Sequence, residues 1–111
     1  MLQELTLSRR AAGDGTTVLV AGELDAHTAP DLAEALERCL VSGVHDVVVD
    51  VSAVTFMSAA GLQTLQAAAE IAGARDVRLG VRVGDSQAVR RILRAAGGEH
   101  LLPLTGELQP S

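Results

Sequence analysis

Val47-Val-Val-Asp-Val-Ser-Ala-Val-Thr-Phe-Met-Ser-Ala-Ala-Gly-Leu-Gln-Thr-Leu65 is the stretch on which the fold turns. The near-continuous valine run predicts a strand over 46–51, central in its sheet and covered on both faces. Asp50 ends the run, and its carboxylate is expected to accept N–H groups of a short following loop and so fix a turn at Ser52. The chain then enters a helix, predicted over 59–72, through Ala59, Ala60 and Gly61. Small residues there leave first-turn N–H groups uncovered, at the positive end of the helix dipole. Such a surface suits a phosphate, a carboxylate or the close backbone of a partner. Ser58 is placed to cap this helix, its hydroxyl bonded to a free N–H of the first turn.

Outward from this core, the rest of the chain alternates strand and helix patterns. Residues 3–9 and 16–22 read as strands joined by a turn at Ala12-Gly13-Asp14-Gly15. Gly22 to His27 reads as a loop carrying Glu23 and Asp25. A helix then starts near Thr28 or Ala29, with Pro30 in its first turn, where a missing N–H costs nothing. Its inward stripe is Leu32, Ala35, Leu36, Cys39 and Leu40, and Gly43 follows as a terminator. The helix at 59–72 turns Leu62, Leu65, Ala69 and Ala72 inward and Gln63, Gln66, Ala67 and Glu70 outward, with Gly73 as its stop. Val77 to Val83 alternates as a less covered strand. Asp85 or Ser86 then caps a third helix with Val89, Ile92, Leu93 and Ala96 inward, ended by Gly97-Gly98. Leu101–Leu104 forms a short strand or packed coil, and residues 106–111 are expected to fray.

The order predicts one α/β domain over 1–111, with an N-terminal β-hairpin, a mixed and mostly parallel sheet, and three to four helices. A chain of 111 residues suits a single compact domain. Hydrophobic residues make up 48% and Phe56 is the one aromatic, so the core must be aliphatic.

Composition excludes several functions. Net charge is −5, from 14 acids against 9 bases, all of them arginine. An acidic chain without stacking aromatics is a poor nucleic-acid binder and better suited to a basic protein patch. Without lysine there is no Walker phosphate loop and no Schiff base. His27, His45 and His100 stand apart without ligand spacing, so no metal and no cofactor are expected. Nothing resembles a nucleophile elbow, and an enzyme is not expected. Cys39 reads as a buried inert thiol. Arg90, Arg91 and Arg94 read as a solvated face on the third helix. With no signal pattern and no long apolar run, the expectation is a cytoplasmic protein, monomeric or weakly dimeric, without membrane contact.

Asp50, Ser52, Val54, Phe56, Met57, Gly61, Leu62 and Leu65 fall in register with the signature of the STAS domain. So does an upstream run, Gly22-Glu-Leu-Asp25 followed by Thr28-Ala-Pro30 and Leu32. The chain resembles that family over nearly its whole length. The resemblance implies a STAS-like fold and an anti-sigma-factor antagonist, whose partner is an anti-sigma factor, a histidine-kinase-like serine kinase that then releases its sigma factor. It places the partner-binding residues at Glu23, Asp25, Thr28, Thr55, Met57, Ser58, Ala59, Ala60, Gln63, Gln66, Ala67 and Glu70. For Asp25 a turn-forming role is an equal alternative; a wet helix face would look the same as the outward stripe, which Ala67, continuous with Ala59 and Ala60, tilts towards docking.

One departure bears on regulation. Ala59 occupies the family's phosphoacceptor position and Ser58 the preceding aspartate, so the usual switch has no hydroxyl to act on. Ser58 remains a weak phosphoacceptor candidate. The alternative reading is a STAS subunit that regulates the ATPase of an ABC transporter, and nucleotide chemistry ranks below both.

Overall fold

The computed structural model describes residues 4–105. The expected fraying at 106–111 lies outside these, as does the start of the first predicted strand. The elements run β1 (Thr6–Ala12), β2 (Gly15–Leu24), α1 (Ala29–Leu40), β3 (Asp46–Met57), α2 (Ala59–Ala74), β4 (Arg78–Arg82) and α3 (Gln87–Ala96), followed by a 3₁₀ turn at Glu99–Leu101. One sheet holds the strands in the order β1-β2-β3-β4. The β1–β2 hairpin is antiparallel and closes on Ala12 opposite Gly15, with Gly13 at φ 60° in the turn between them. Both later pairings, β2–β3 and β3–β4, are parallel, as helical crossovers require. Beyond the β4 edge, Leu104 makes a single parallel bridge to Val81.

The helices supply one cover. Val18, Val20, Val47, Val49, Val51, Leu79 and Val81 pack into a single core with Leu32, Leu36, Cys39, Leu62, Leu65, Val89 and Leu93. On β3 the intervening Asp46, Val48 and Asp50 are only half-buried. The expected double cover of this strand is therefore corrected to cover on one face. On the open face the register sets Asp46 beside Arg78 and Asp50 beside Arg82, with N–O separations of 3.5 and 3.7 Å.

The larger correction concerns residues 52–57, read as loop but part of β3. They pair with Ala21–Leu24 of β2, which itself extends beyond its expected end at Gly22. Two register shifts make this possible. Leu19 and Ala21 face Asp50 and Ala53, then Gly22 and Glu23 face Val54 and Phe56, so β3 carries one extra residue at each step. Each bulge moves the inward position along by one, and the buried residues become Val51, Val54 and Met57. Asp50 supports the first bulge as expected: its Oδ1 accepts from Ser52 N–H at 2.9 Å and from Ser52 Oγ at 2.6 Å.

The helices differ from expectation in detail. Helix α2 passes through Gly73 and ends at Ala74, with Arg75 as its C-cap and Asp76 in the left-handed region at φ 59°. Aspartate tolerates that conformation, so the exit needs no glycine. Ala68 is buried in the core beside the expected Ala69, which packs against it half-buried, and Ala96 of α3 is exposed. At the start of α3, buried Ser86 fulfils its capping role twice over. Its Oγ accepts from Val89 N–H at 3.2 Å and donates to Val54 O at 2.7 Å, satisfying a carbonyl that lies between the two bulges. Ser86→Ala removes a cap and strands a buried carbonyl together. It is expected to cost about 2 kcal/mol in urea unfolding, with Ser86→Thr recovering part of the loss.

Candidate functional site

The parallel pairing of β2 with β3 carries both sequence motifs to one end of the sheet. Glu23 lies beside Phe56 and Leu24 beside Met57, and Ser58 N–H donates to Leu24 O at 3.0 Å. The turn after β2 and the first turn of α2 are thereby held side by side.

The turn after β2 is built around Asp25. Its Oδ1 accepts from His27 N–H at 2.9 Å and Thr28 N–H at 3.0 Å, while its own N–H donates to Thr28 Oγ1 at 3.0 Å. Thr28 Oγ1 in turn donates to Glu23 O at 2.9 Å. This reciprocal bonding resembles a capping box, and Ala29 N–H closes the first helical turn on Asp25 O at 2.8 Å. Asp25 therefore has the turn-forming role. The N–H of Thr28, then burial acting in opposition, then the N–H of His27 set its acidity, and its carboxyl lies below the usual value of 3.8. Glu23 is half-buried at the end of its strand, and Thr55 Oγ1 donates to Gly22 O at 3.3 Å.

The α2 side divides the expected residues. Ala59, Gln63, Ala67 and Glu70 are exposed, and Ala60 and Gln66 are half-buried, so one helix face connects them to the Asp25 turn. Met57 does not belong with them. It is only 5% exposed, because the second bulge turns it under the helix. There it explains Gly61: a Cβ at that position would stand 2.8 Å from Leu24 Cγ and 3.0 Å from Met57 Cγ. Met57 is thus the floor of the surface and not part of it.

Ser58 also departs from its expected part. It occupies the N-cap position in an extended conformation, yet its side chain makes no capping bond. Its Oγ is buried and has no hydrogen-bond partner. With that oxygen turned inward, a phosphoryl group could reach it only after the side chain rotates out.

Sequence reading missed two features here. Phe56, the one aromatic, is 49% exposed beside Glu23, where the bulge has turned it outward. Between α1 and α2 lies a groove of about 440 Å³ whose lining includes Ala26, Ala33, Ala60 and Ala67 above Leu36 and Leu40. The alternation of alanines across two helices was visible in the sequence, but their apposition was not. Among the described residues, no group of three or more His, Cys, Asp or Glu is arranged to hold a metal. No described helix is long and apolar enough to cross a membrane.

Comparison with known proteins shows the family and the fold. A family model described as Mlab, STAS domain, matches residues 7–105. An anti-sigma-B factor antagonist of Staphylococcus epidermidis is 32% identical over 85 residues, 77% of this chain and 78% of that protein. The crystal structure of an anti-sigma factor antagonist from Mycobacterium paratuberculosis superposes with a TM-score of 0.82 at 30% identity, over 95% of this chain and 88% of that one. The Bacillus cell-fate determinant SpoIIAA in its phosphorylated form superposes at 0.66 with 16% identity, over 93% and 92% of the two chains, and shows the same fold.

Two measurements probe the site. Ser58→Ala deletes an unsatisfied buried hydroxyl that caps nothing, so it should raise stability by about 1 kcal/mol in urea unfolding, where a working cap would give a loss of similar size. The lowered pKa of Asp25 means its carboxylate stabilises the fold above the ordinary value, and that contribution disappears as pH falls through the folded value. Between about pH 5 and pH 3 the urea midpoint of the native chain should therefore fall more steeply than that of Asp25→Asn.

Proposed function

Because this chain belongs to the STAS domain family, we propose that it acts as an anti-sigma-factor antagonist, a protein-binding regulator that docks on an anti-sigma factor and so frees a sigma factor. The observation that carries the reading is the joining of the Asp25 turn to the start of α2 through the Ser58–Leu24 hydrogen bond. That junction presents Glu23, Asp25, Thr28, Thr55, Ala59 and Ala60 together, and the outer face of α2 extends it through Gln63, Gln66, Ala67 and Glu70. The small side chains allow close approach and lose little rotamer freedom when covered. Likeness to antagonists from Staphylococcus epidermidis and Mycobacterium paratuberculosis supports the choice of partner.

The partner we propose is an anti-sigma factor of the serine-kinase type. Ala59 offers no oxygen to phosphorylate, and Ser58 Oγ faces inward. Docking on such a partner is therefore not reversed by phosphate transfer at this turn. Absence of a switch equally suits the alternative, a STAS subunit on the ATPase of an ABC transporter, which would use the same surface.

The test is calorimetric titration of the purified chain against each anti-sigma factor of its source organism, and separately against its ABC-transporter ATPases. The expected result is a one-to-one complex with one anti-sigma factor. Ala59→Arg should weaken it by about tenfold or more, since a long cation would stand in the contact. Incubation with ATP should add no phosphate to the native chain by mass spectrometry. Binding to an ATPase and to no anti-sigma factor would replace the first reading with the second.

A further inference from the structure

The groove between α1 and α2 continues beyond the surface just described. A second depression of about 560 Å³, lined by Glu34, Glu37, Arg38, Val41, Ile71 and Arg75, shares Glu37 and Ile71 with it. The two form one trough that opens at Ala26 and Ala60, beside the Asp25 turn. It ends at Val41, which at 58% has the greatest exposure of any large hydrophobic residue described. Since α1 has 12 residues, the trough is about 18 Å long, or roughly three helical turns.

Its chemistry restricts what can fill it. Both walls are helices whose backbone groups bond internally, so an extended segment would find no N–H or C=O partners there. A helix brings its own hydrogen bonds, and alanine walls let a third axis come close. Charge then narrows the choice. Glu34 is engaged by Arg38 at 2.9 Å, which neutralises both. Glu37 on the α1 wall and Glu70, one turn beyond Ala67 on the outer side of α2, are exposed and make no ion pair among the described residues. Glu37 thus lines the trough on the α1 side, Glu70 stands outside its lining on the outer side of α2, and Arg75 at the far end makes no ion pair among the described residues.

We propose that this trough seats an amphipathic helix of the partner, about three turns long. A ridge of Leu or Ile lies between α1 and α2, and Arg or Lys on its two flanks face Glu37 and Glu70. The inference rests on the docking function proposed above and adds the chemistry of the docking element. It also extends the contact onto α1, through Ala33 and Glu37.

A synthetic helix serves as the probe: a fluorescein-labelled peptide of about 14 residues with Leu at positions i, i+3, i+4 and i+7 and Arg on both flanks, beside a twin with Glu for Arg. Anisotropy with the full chain should show the Arg peptide binding and the Glu twin weaker by about tenfold. The double variant Glu37→Arg, Glu70→Arg should reverse that preference. Ala33→Gln, an outward change to another good helix former, should weaken the Arg peptide by about tenfold while circular dichroism and melting stay unchanged. Failure of the Arg peptide to saturate by about 1 mM overturns the proposal. So does a preference that survives the charge reversal, or indifference to Ala33→Gln.

The two readings fail separately. Ala59 lies outside the trough, so Ala59→Arg should leave peptide binding intact while losing the anti-sigma factor. An anti-sigma factor that binds Ala33→Gln and the charge-reversed variant as tightly as the native chain sinks the trough alone. Peptide binding with the expected preferences, but no anti-sigma complex, sinks the function alone.

Discussion

The structure depends on the parallel pairing of β2 with β3 and on its continuation past the point where β3 stops alternating. Without the stretch that joins Ala21–Leu24 to Ala53–Met57, the Asp25 turn and the start of α2 would be separate loops. The continuation is held from three sides. Asp50 bonds the first bulge through Ser52, Ser86 takes up the carbonyl of Val54, and Leu24 receives the N–H of Ser58. None of these bonds belongs to a regular ladder, yet together they set the direction in which α2 leaves the sheet. The proposed docking surface and the core packing therefore meet at the same few residues: Met57 faces in, Phe56 faces out, and Ala59 begins the exposed helix.

Ala59 and Ser58 give this junction an unusual character for a surface that resembles a phosphorylation switch. A hydroxyl is present one residue early, but it is buried and idle. Asp25, in the neighbouring turn, spends one carboxylate oxygen on the N–H groups of His27 and Thr28. The Asp25 carboxylate is consequently committed to shaping the backbone, and at the start of α2 the exposed side chain is the small, neutral Ala59. On the proposed reading, such a surface docks without a phosphate switch at this turn.

Much of this was legible in the sequence, for identifiable reasons. The hairpin was marked by Gly13 and Asp14, the helix at 29–40 by Pro30 and its period of apolar residues, and the cap of α3 by Ser86. Each is a local signal. Residues 52–57 were misread because their inward positions fall at 51, 54 and 57, a spacing of three that matches no strand. That spacing arises only from the pairing with β2 and from a bond between residues 32 apart in the chain. The same cause hid the exposure of Phe56 and the burial of Met57. In α2 the inward stripe omits Ala68, which is more deeply buried than Ala69, since a helix built largely of alanine carries little polarity contrast to orient it. The trough required two helices to be apposed, which no single segment encodes. Gly73 was overread: a glycine permits an exit without demanding one, and the chain leaves at Asp76 instead.

The doubled bulge has a consequence for how this segment can change in length. Each residue added or removed between Asp50 and Ser58 would rotate the first turn of α2 by about 100° about its axis. Gly61 would leave its slot against Leu24, and a larger side chain would have to enter it. Ordinary surface loops absorb insertions at small thermodynamic cost. This connection is different, because its residue count acts as a gear between sheet and helix. Substitution can diversify the exposed face freely, whereas insertion or deletion here would uncouple that face from the scaffold.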